Sequence, residues 1–475
     1  MPASFLWHDY ETFGALPRID RPAEFACVRT DADFVPVDDG WSARCQPTLD
    51  YLPDPEACQI TGIGPEAAWA TGLPEPEFAA RIYAEMAVPE TCSLGYNSMR
   101  FDDEITRYLF WRNFIDPYER EWANGNSRFD LIDVLRACYA LRPDGLQWAQ
   151  REDGRPSFKL TDLSAANQLP HAHAHSALSD VHATLALARK LKAAQPRLLD
   201  YALSLRSKTR VQALLNWQQR QPIVHVSQRI GAERGCLAIV VPLALHPSQS
   251  GKTIVVDALP DPTPLLHWSP ERLAEAILTP SSDPDRVPLG IKLVHANRAP
   301  FLAPLNVLEG VDLNRIELDR ARVDAHLARI REGVGLDAKL QQVYTLLDRP
   351  ADTGASDPDG ALYQGFVDSA DRALARRFRE ASAQDLPHLT LKFRDARLQA
   401  LALRYRARHH ALSLTRSERR LWHKQVDGML QRPERPLPAY LAAVETLRDS
   451  MPALAADLVA WVTRIENAQQ RLLQP

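Results

Sequence analysis

The hydrophobic pattern of the first 190 residues alternates between strand-like and helix-like segments. FLWHDYETF (5–13) and FACVRTD (25–31) are rich in aromatic and β-branched residues and predict two strands of a hairpin. CSLGYN (92–97) predicts a third strand, and FAARIYAEMA (78–87) has the apolar spacing of a helix. Three further segments predict helices: DDEITRYLFWRNF (102–114), KLTDLSAANQL (159–169) and DVHATLALARKLKAAQ (180–195). FDLIDVLRACYAL (129–141) predicts a short strand that leads into a helix. Such alternation is typical of an α/β sheet flanked by helices.

The pattern changes twice after this region. Residues from about 196 to 350 contain β-branched runs broken by Gly, Pro and Ser, which predict a sheet-rich region, followed by a helix in RIELDRARVDAHLARIREG (315–333). RPADTGASDPDG (349–360) has the composition of a linker, and the remaining residues are almost wholly helical in pattern. We therefore expect three domains, at residues 1–190, 196–350 and 352–475.

Composition is consistent with several globular domains. The chain has 475 residues, of which 45% are hydrophobic and 24% charged, with a net charge of −4. No signal peptide is recognisable, and CLAIVVPLAL (236–245), the longest apolar run, is far shorter than a membrane helix. Six scattered cysteines without a CxxC pair are typical of free thiols in a reducing compartment. We expect a cytoplasmic protein without a membrane partner.

The first predicted strand carries an acidic pair. Asp9 and Glu11 are two residues apart, so on a strand their side chains share one face. Two like charges in an apolar segment are costly unless a cation lies between them. Taken alone, the pair is equally well explained as the polar face of an edge strand.

Two more segments add acids to this pair. Asp102 and Asp103 begin a predicted helix, where an acid can serve as a cap or as a metal ligand. Asp180 begins another helix five residues after His175, in HAHAHSALSD (171–180). His171, His173 and His175 fit either a metal-binding tract or a solvated loop.

Together these segments favour hard divalent cations. Carboxylate oxygens are the ligands preferred by Mg²⁺ and Mn²⁺, whereas a zinc site would draw on Cys or several His. Several carboxylates without thiols suggest a two-metal site for phosphoryl transfer.

The order of these residues resembles a known family. Asp9-x-Glu11, Asn97-x-x-x-Phe101-Asp102 and His175-x-x-x-x-Asp180 resemble the three motifs of the DEDDh exonuclease superfamily. Longer segments, among them GYNSMRFDDEITRYLFWRNFIDPY (95–118), resemble the bacterial exodeoxyribonuclease I family over essentially the whole chain. That resemblance implies a ribonuclease H-like exonuclease domain with a mixed sheet, an SH3-like β-rich domain and a C-terminal α-helical domain.

The resemblance also implies roles for the motif residues. Asp9 would bridge two Mg²⁺ ions, with Mn²⁺ as a substitute, Glu11 would bind one ion near the terminal 3′-hydroxyl, and Asp180 would complete the tighter site. Asp102 would hold the second ion, and His175 would be the general base for the attacking water. The implied reaction is 3′→5′ hydrolysis of single-stranded DNA to 5′-mononucleotides, in DNA repair and recombination.

Substrate contacts have weaker signals. RYLFWRNFIDPYEREW (107–122) interleaves arginines with aromatics, as in sites for single strands. Tyr108, Trp111 and Phe114 have the spacing of core residues, which leaves Tyr118 and Trp122 as the better candidates for base stacking. The candidates for phosphate contact are Arg107, Arg128, Arg136 and Lys159, the last standing where the family is expected to carry Arg, so that the bidentate fork is lost.

The helical tail is strongly basic. Residues 371–424 contain 14 Lys or Arg and 5 Asp or Glu, with RYRARHH (404–410) as the densest stretch. This excess fits either a DNA channel wall or a pocket for an acidic partner, besides an ordinary solvated face. The family implies the acidic C-terminal tail of single-stranded DNA-binding protein as that partner, and we expect a monomer. Two alternative functions remain, a 3′→5′ exoribonuclease and a non-catalytic single-strand-binding scaffold.

Overall fold

A computed structural model describes residues 2–171, 176–280, 282–348, 357–382, 384–389 and 392–474. Among these residues the contacts define two compact units. The first comprises the ranges 1–127, 172–182 and 352–475, and the second comprises 128–171 and 183–351.

The first unit is built around a mixed sheet. β1 (Ser4–Thr12) pairs antiparallel with β2 (Pro22–Thr30), which pairs antiparallel with β3 (Trp41–Arg44). On its other side β1 pairs in parallel with β4 (Thr91–Gly95). The predicted hairpin and the predicted mixed sheet are thus confirmed, and β1 is a central strand, not an edge strand.

Helices of the first unit come from both ends of the chain. Those before residue 127 are α1 (Pro55–Thr61), α2 (Pro65–Thr71), α3 (Glu75–Met86) and α4 (Asp102–Arg112). The acids Asp102, Asp103 and Glu104 fill the first turn of α4, where the backbone N–H groups favour negative charge.

Two elements contain a boundary between the sequence ranges of the two units: β5 (Ser127–Asp130), which begins at the last residue of the first range, and α7 (Ala177–Ala194). The second unit contains α5 (Leu131–Leu141), α6 (Leu160–Ala166), α8 (Pro196–Ser204) and α9 (Lys208–Leu214).

An antiparallel sheet forms the centre of the second unit, in strand order β10-β6-β7-β8-β9. Its strands are β6 (Ile223–Val226), β7 (Leu237–Leu245), β8 (Lys252–Asp257), β9 (Ile291–His295) and β10 (Phe301–Pro304). Helices also occur here, namely α10 (Thr263–His267), α11 (Pro270–Leu278), α12 (Arg320–Glu332) and α13 (Leu336–Leu347).

The tail is helical as predicted and shares a core with the early helices of the first unit. It contains α14 (Ser369–Glu380), α15 (Ala396–His409), α16 (Arg416–Met429), α17 (Leu437–Thr446) and α18 (Pro452–Leu473). Trp461 of α18 is fully buried and donates its indole N–H to the carbonyl of Tyr51 at 2.9 Å. Trp422 and Leu458 pack in the same cluster as Cys58 of α1 and Ala68 of α2.

No helix of the described residues combines the length and hydropathy needed to cross a membrane. The six cysteines are buried and free.

Candidate active site

Asp9 and Glu11 lie on one face of the central strand β1. At these two residues β1 pairs with β2, while β4 pairs with the preceding part of β1, Ser4 to Trp7, so the strand that carries the acids is held at both edges as it leads up to them. Glu11 is buried and Asp9 half-buried. A side chain at Gly95 would place its Cβ 2.6 Å from the carbonyl oxygen of His8, so the close approach of β4 beside Asp9 requires glycine.

The third acid comes from the first turn of α7. The backbone N–H of Asp180 donates to the carbonyl of Ser176 at 3.0 Å, which begins the helical hydrogen bonding. Carboxylate oxygens of Asp9, Glu11 and Asp180 all lie within 4.8 Å of one another. A strand and a helix far apart in sequence therefore bring three acids to one point.

Electrostatics at this point are unfavourable without a cation. Burial raises the pKa of Asp9 well above its ordinary value, and the charges of Asp102, Asp180, Glu11 and Glu24 raise it further. Burial, then Asp180 and Glu24, raises the pKa of Glu11 to about 8. Burial and like charges both favour protonation of these acids, and a divalent cation would relieve both.

Asp102 and Asp103, adjacent in α4, have different surroundings. Asp103 pairs with Arg120 at 2.5 Å, with both side chains buried. Asp102 is also buried, and after burial its charge is the largest cause of the raised pKa of Asp9. Asp102 therefore acts on the acidic group, although it is outside the three residues whose oxygens converge.

Glu24 is a further acid of the site that the sequence did not suggest. In the β1–β2 ladder it lies directly opposite Glu11, and its charge raises the pKa of both Asp9 and Glu11. The predicted strand FACVRTD (25–31) begins one residue after Glu24, whereas β2 starts at Pro22, and only the register of the hairpin places Glu24 opposite Glu11.

Of the candidate histidines, His171 is described and half-buried, whereas His173 and His175 lie outside the described residues. His8 is next to Asp9 in sequence but points to the opposite face of β1, where its ring stacks on Phe25 with 5.9 Å between centroids. Burial, with a smaller contribution from Arg120, lowers the pKa of His8 to about 4.

The aromatic residues of segment 107–122 divide by burial as predicted. Tyr108, Trp111 and Phe114 are buried, Tyr118 is half-buried, and Trp122 is 67% exposed. Arg107 is a different case, because its guanidinium is buried and binds Glu121 at 2.8 Å and Glu104 at 2.7 Å. With two carboxylates already bound, Arg107 is not among the residues that we propose for phosphate contact.

The other predicted phosphate contacts belong to the second unit. Lys159 is exposed at the residue before α6. Arg128 is buried and donates to the carbonyl of Asn297 at 3.3 Å, and Arg136 is buried and pairs with Asp133 at 2.5 Å. Lys159 thus presents the most accessible cation of the three.

In the basic tail, the densest stretch does not form an open surface. Arg404 and Arg408 are buried and bind Asp359, at 2.7 Å and 2.5 Å. Arg406 pairs with Glu418 at 2.8 Å. The expectation that RYRARHH supplies a DNA channel wall or a partner pocket is therefore wrong for these arginines, because acids of the first unit already neutralise them.

A mixed sheet whose central strand and a following helix gather carboxylates fits an enzyme of the exonuclease class, and family comparisons agree. The chain matches the family "Exonuclease" over residues 6–188, "Exonuclease I SH3-like domain" over 206–346 and "Exonuclease I C-terminal domain" over 356–465. Exodeoxyribonuclease I of Escherichia coli K12 is 43% identical over 421 residues, 88% of each chain. That of Haemophilus influenzae is 42% identical over 434 residues, 90% of this chain and 91% of the other.

Solved structures agree over the whole length. Exonuclease I of E. coli in complex with a dA16 oligonucleotide is similar with a TM-score of 0.92 at 40% identity, covering 99% of this chain and all of the other. Its zinc-bound form with single-stranded DNA (40% identity) and a complex of exonuclease I with SSB-Ct (39%) both match with TM-scores of 0.90 over the full length of both chains. The chain belongs to the exonuclease I family, and it is an exonuclease.

This family implies a divalent metal ion, and the residues present fit one. The three converging side chains offer only oxygen ligands, and burial together with neighbouring carboxylates raises the pKa values of Asp9 and Glu11, an effect that a bound cation would oppose.

Proposed function

We propose that the protein degrades single-stranded DNA from its 3′ end and releases 5′-mononucleotides. The observation that carries this proposal is the convergence of Asp9, Glu11 and Asp180 within 4.8 Å. The acids lie on a scaffold that is similar over its full length to exonuclease I bound to a DNA oligonucleotide.

In this proposal Asp9, Glu11 and Asp180 bind Mg²⁺, with Asp102 holding a second ion and Mn²⁺ able to substitute. Two such ions, when bound, supply positive charge for the attacking and leaving oxygens of the phosphodiester. The chain holds the ligands in place through the paired strand β1 and the first turn of α7.

We assign the proton of the attacking water to His175. The water oxygen forms a bond to the terminal phosphorus while its proton passes to the imidazole, and the bond to the 3′-oxygen of the penultimate nucleotide breaks. That oxygen takes up a proton from solvent and becomes the new 3′-hydroxyl. Imidazole suits this role because it accepts a proton near neutral pH.

Replacing His175 should lower turnover without removing the metal ligands. For His175→Ala we expect a loss of roughly 10²–10⁴ in kcat, the usual contribution of general acid–base catalysis. Single-turnover degradation of end-labelled DNA measures it, with His171→Ala as the matched control. A normal rate in His175→Ala would move the role to His173 or His171, and a slow His171→Ala would select His171.

Substrate class needs a direct test, because the carboxylates act on the phosphodiester and do not read the 2′-hydroxyl. The experiment compares 5′-labelled single-stranded DNA, duplex DNA and RNA, each with Mg²⁺ and with EDTA. We expect progressive shortening of single-stranded DNA only, and only with Mg²⁺. Preferred RNA degradation would favour an exoribonuclease, and binding without shortening would favour a scaffold.

We further propose that the acidic C-terminal tail of single-stranded DNA-binding protein is a partner, because a related exonuclease I forms a complex with SSB-Ct. A monomeric cytoplasmic enzyme of DNA repair, divided at residues 1–190, 196–350 and 352–475, agrees with this substrate and partner and completes the proposal.

A further inference from the structure

Arg120 forms a buried ion pair with Asp103, the residue that follows Asp102 in the first turn of α4. The guanidinium of Arg120 donates to the carboxylate of Asp103 at 2.5 Å, and the two side chains are 0% and 3% exposed. A guanidinium stays charged inside a protein, so Arg120 cannot become neutral to reduce the cost of its burial. The attraction between the two charges therefore fixes both side chains in the interior of the first unit.

This ion pair lies on the core side of the central strand. Arg120 is in the short turn Glu119–Glu121. Burial raises the pKa of Tyr10 in β1, and the charges of Arg120 and Asp103 also act on it. Tyr10 packs in the same apolar cluster as Ile105 of α4. Because alternate residues of a strand point to opposite faces, this face of β1 is opposite to the one that carries the two acids of the candidate active site.

A second contact ties the same turn of α4 to β1. The hydroxyl of Thr106 donates to the carbonyl of Asp102 at 2.8 Å and lies 3.0 Å from the hydroxyl of Tyr10. Asp102 is thus held at its own carbonyl and at the side chain of the residue that follows it. After burial, the charge of Asp102 is the largest cause of the raised pKa of Asp9. The residue that is held at these two points is therefore the one that acts on the acidic group.

The other two acids of this turn each bind an arginine. Asp103 binds Arg120, and Glu104 binds Arg107 at 2.7 Å. Successive residues of an α-helix are about 100° apart around its axis, so fixing the side chain of Asp103 also fixes the direction in which the side chain of Asp102 leaves the helix. Both arginines are buried, but only the acid held by Arg120 is adjacent to Asp102. Arg107 therefore offers a comparison within the same turn.

We propose that Arg120 is a positioning residue of the active site: through Asp103 it holds Asp102 in the direction in which Asp102 binds the second metal ion. Residues that orient a metal ligand without touching the metal strengthen binding of the ion which that ligand holds. Arg120 is fully buried, so it acts through Asp103 and does not contact the substrate. The proposal rests on the proposed function, in which Asp102 holds that ion.

Two measurements on the full-length protein test the proposal: calorimetric titration with Mn²⁺, and hydrolysis of end-labelled single-stranded DNA over a range of Mn²⁺ concentrations. Arg120→Gln should weaken binding of the second Mn²⁺ by roughly 10- to 100-fold and raise the Mn²⁺ concentration for half-maximal rate by the same factor, with the KM for DNA unchanged. Arg120→Lys keeps the charge and should restore part of both properties, and it decides the test where Arg120→Gln does not fold. Arg107→Gln is the matched control and should bind Mn²⁺ normally.

A double-mutant cycle shows whether Arg120 acts through Asp103. Asp103→Asn alone should weaken Mn²⁺ binding as much as Arg120→Gln, and the double variant should bind no more weakly than either single variant, because the two residues act as one unit. Additive losses, unchanged Mn²⁺ binding in the Arg120 variants, or equal weakening in Arg107→Gln would overturn the positioning role. These results leave the proposed function intact while the wild type degrades DNA, whereas a wild-type protein that neither binds Mn²⁺ nor degrades DNA contradicts the proposed function itself.

Discussion

The pKa values of Asp9 and Glu11 lie above those of isolated acids. Glu11 has a pKa of about 8, and the pKa of Asp9 is also raised, because both are buried among other carboxylates. In the folded chain the carboxylates of Asp9, Glu11 and Asp180 are held close together although their charges repel. Such a concentration of like charge is typical of a site that acts only with a cation bound.

Removing one ligand should abolish hydrolysis without unfolding the protein. For Asp180→Ala and Asp9→Ala we expect loss of degradation while binding of single-stranded DNA is nearly intact, because loss of a negative charge relieves repulsion in the metal-free site. Gel assays with end-labelled DNA and anisotropy measure the two properties on the same preparations. Glu152→Gln, at an exposed acid, serves as control. Normal activity in Asp180→Ala would contradict the metal-site assignment.

Metal affinity should increase with pH up to about 8. Below that value Glu11 is protonated in the metal-free protein, so an entering cation must displace a proton, and affinity falls by up to tenfold per pH unit. Calorimetric titration with Mn²⁺ at pH 6, 7 and 8, in buffers of different ionisation enthalpy, gives both the affinity and the protons released. In Glu24→Gln the negative charge opposite Glu11 is lost, and the rise should move to lower pH. Affinity independent of pH would show that Glu11 is already ionised.

At the scale of elements, the sequence could predict β1, β2, β4 and the α/β order, since their patterns are local. From the strand assignment alone it could place Asp9 and Glu11 on one face. Glu24 could not be placed, because hairpin register depends on the turn. Helices α8 to α11 were not predicted within the sheet-rich region, although Pro196 and Pro270 stand at helix starts, because the β-branched runs dominated the reading.

The runs of charged residues predicted the exposure of their side chains poorly. The basic run 404–410 suggested an external surface, but its partners include Asp50 and Asp359, at sequence positions that no local pattern connects. Asp359 lies in the short turn Pro358–Gly360 and is buried against Arg404 and Arg408. Within the first unit, this turn is joined to α15 through buried ion pairs.

Breaking this junction should be strongly destabilising. Asp359→Asn removes the buried carboxylate that Arg404 and Arg408 share, which leaves them only Asp357 and Asp50, and we expect a loss of about 3–5 kcal/mol in the free energy of unfolding. Asp357→Asn is the matched control: that side chain is 29% exposed, against 1% for Asp359, and its loss should cost about 1 kcal/mol or less. Urea unfolding followed by circular dichroism compares them. Equal midpoints for the two variants would mean that burial does not set the strength of the junction.

At the scale of the whole molecule, unfolding free energy in saturating Mg²⁺ should fall as pH decreases from about 6.5 to 4. Burial lowers the pKa of His225 to about 4 and of His409 to about 3, so both stay neutral in the folded chain. Each takes up a proton on unfolding below about pH 6.5, which costs up to about 1.4 kcal/mol per pH unit and per group. Saturating Mg²⁺ is used because it keeps Glu11 ionised and removes that residue's opposite dependence on pH.

Below about pH 4 the buried acids Asp50 and Glu75 lower the free energy of unfolding further. Asp50 and Glu75 have pKa values of about 2 in the folded protein because neighbouring arginines outweigh their burial, so they stay ionised while the unfolded chain binds protons. Urea titrations at pH 7, 5.5 and 4 measure the profile. His225→Gln should reduce its slope between pH 6.5 and 4, whereas replacement of His267, which is exposed, should not. A flat wild-type profile across this range would show that His225 and His409 bind protons equally in the folded and unfolded chains.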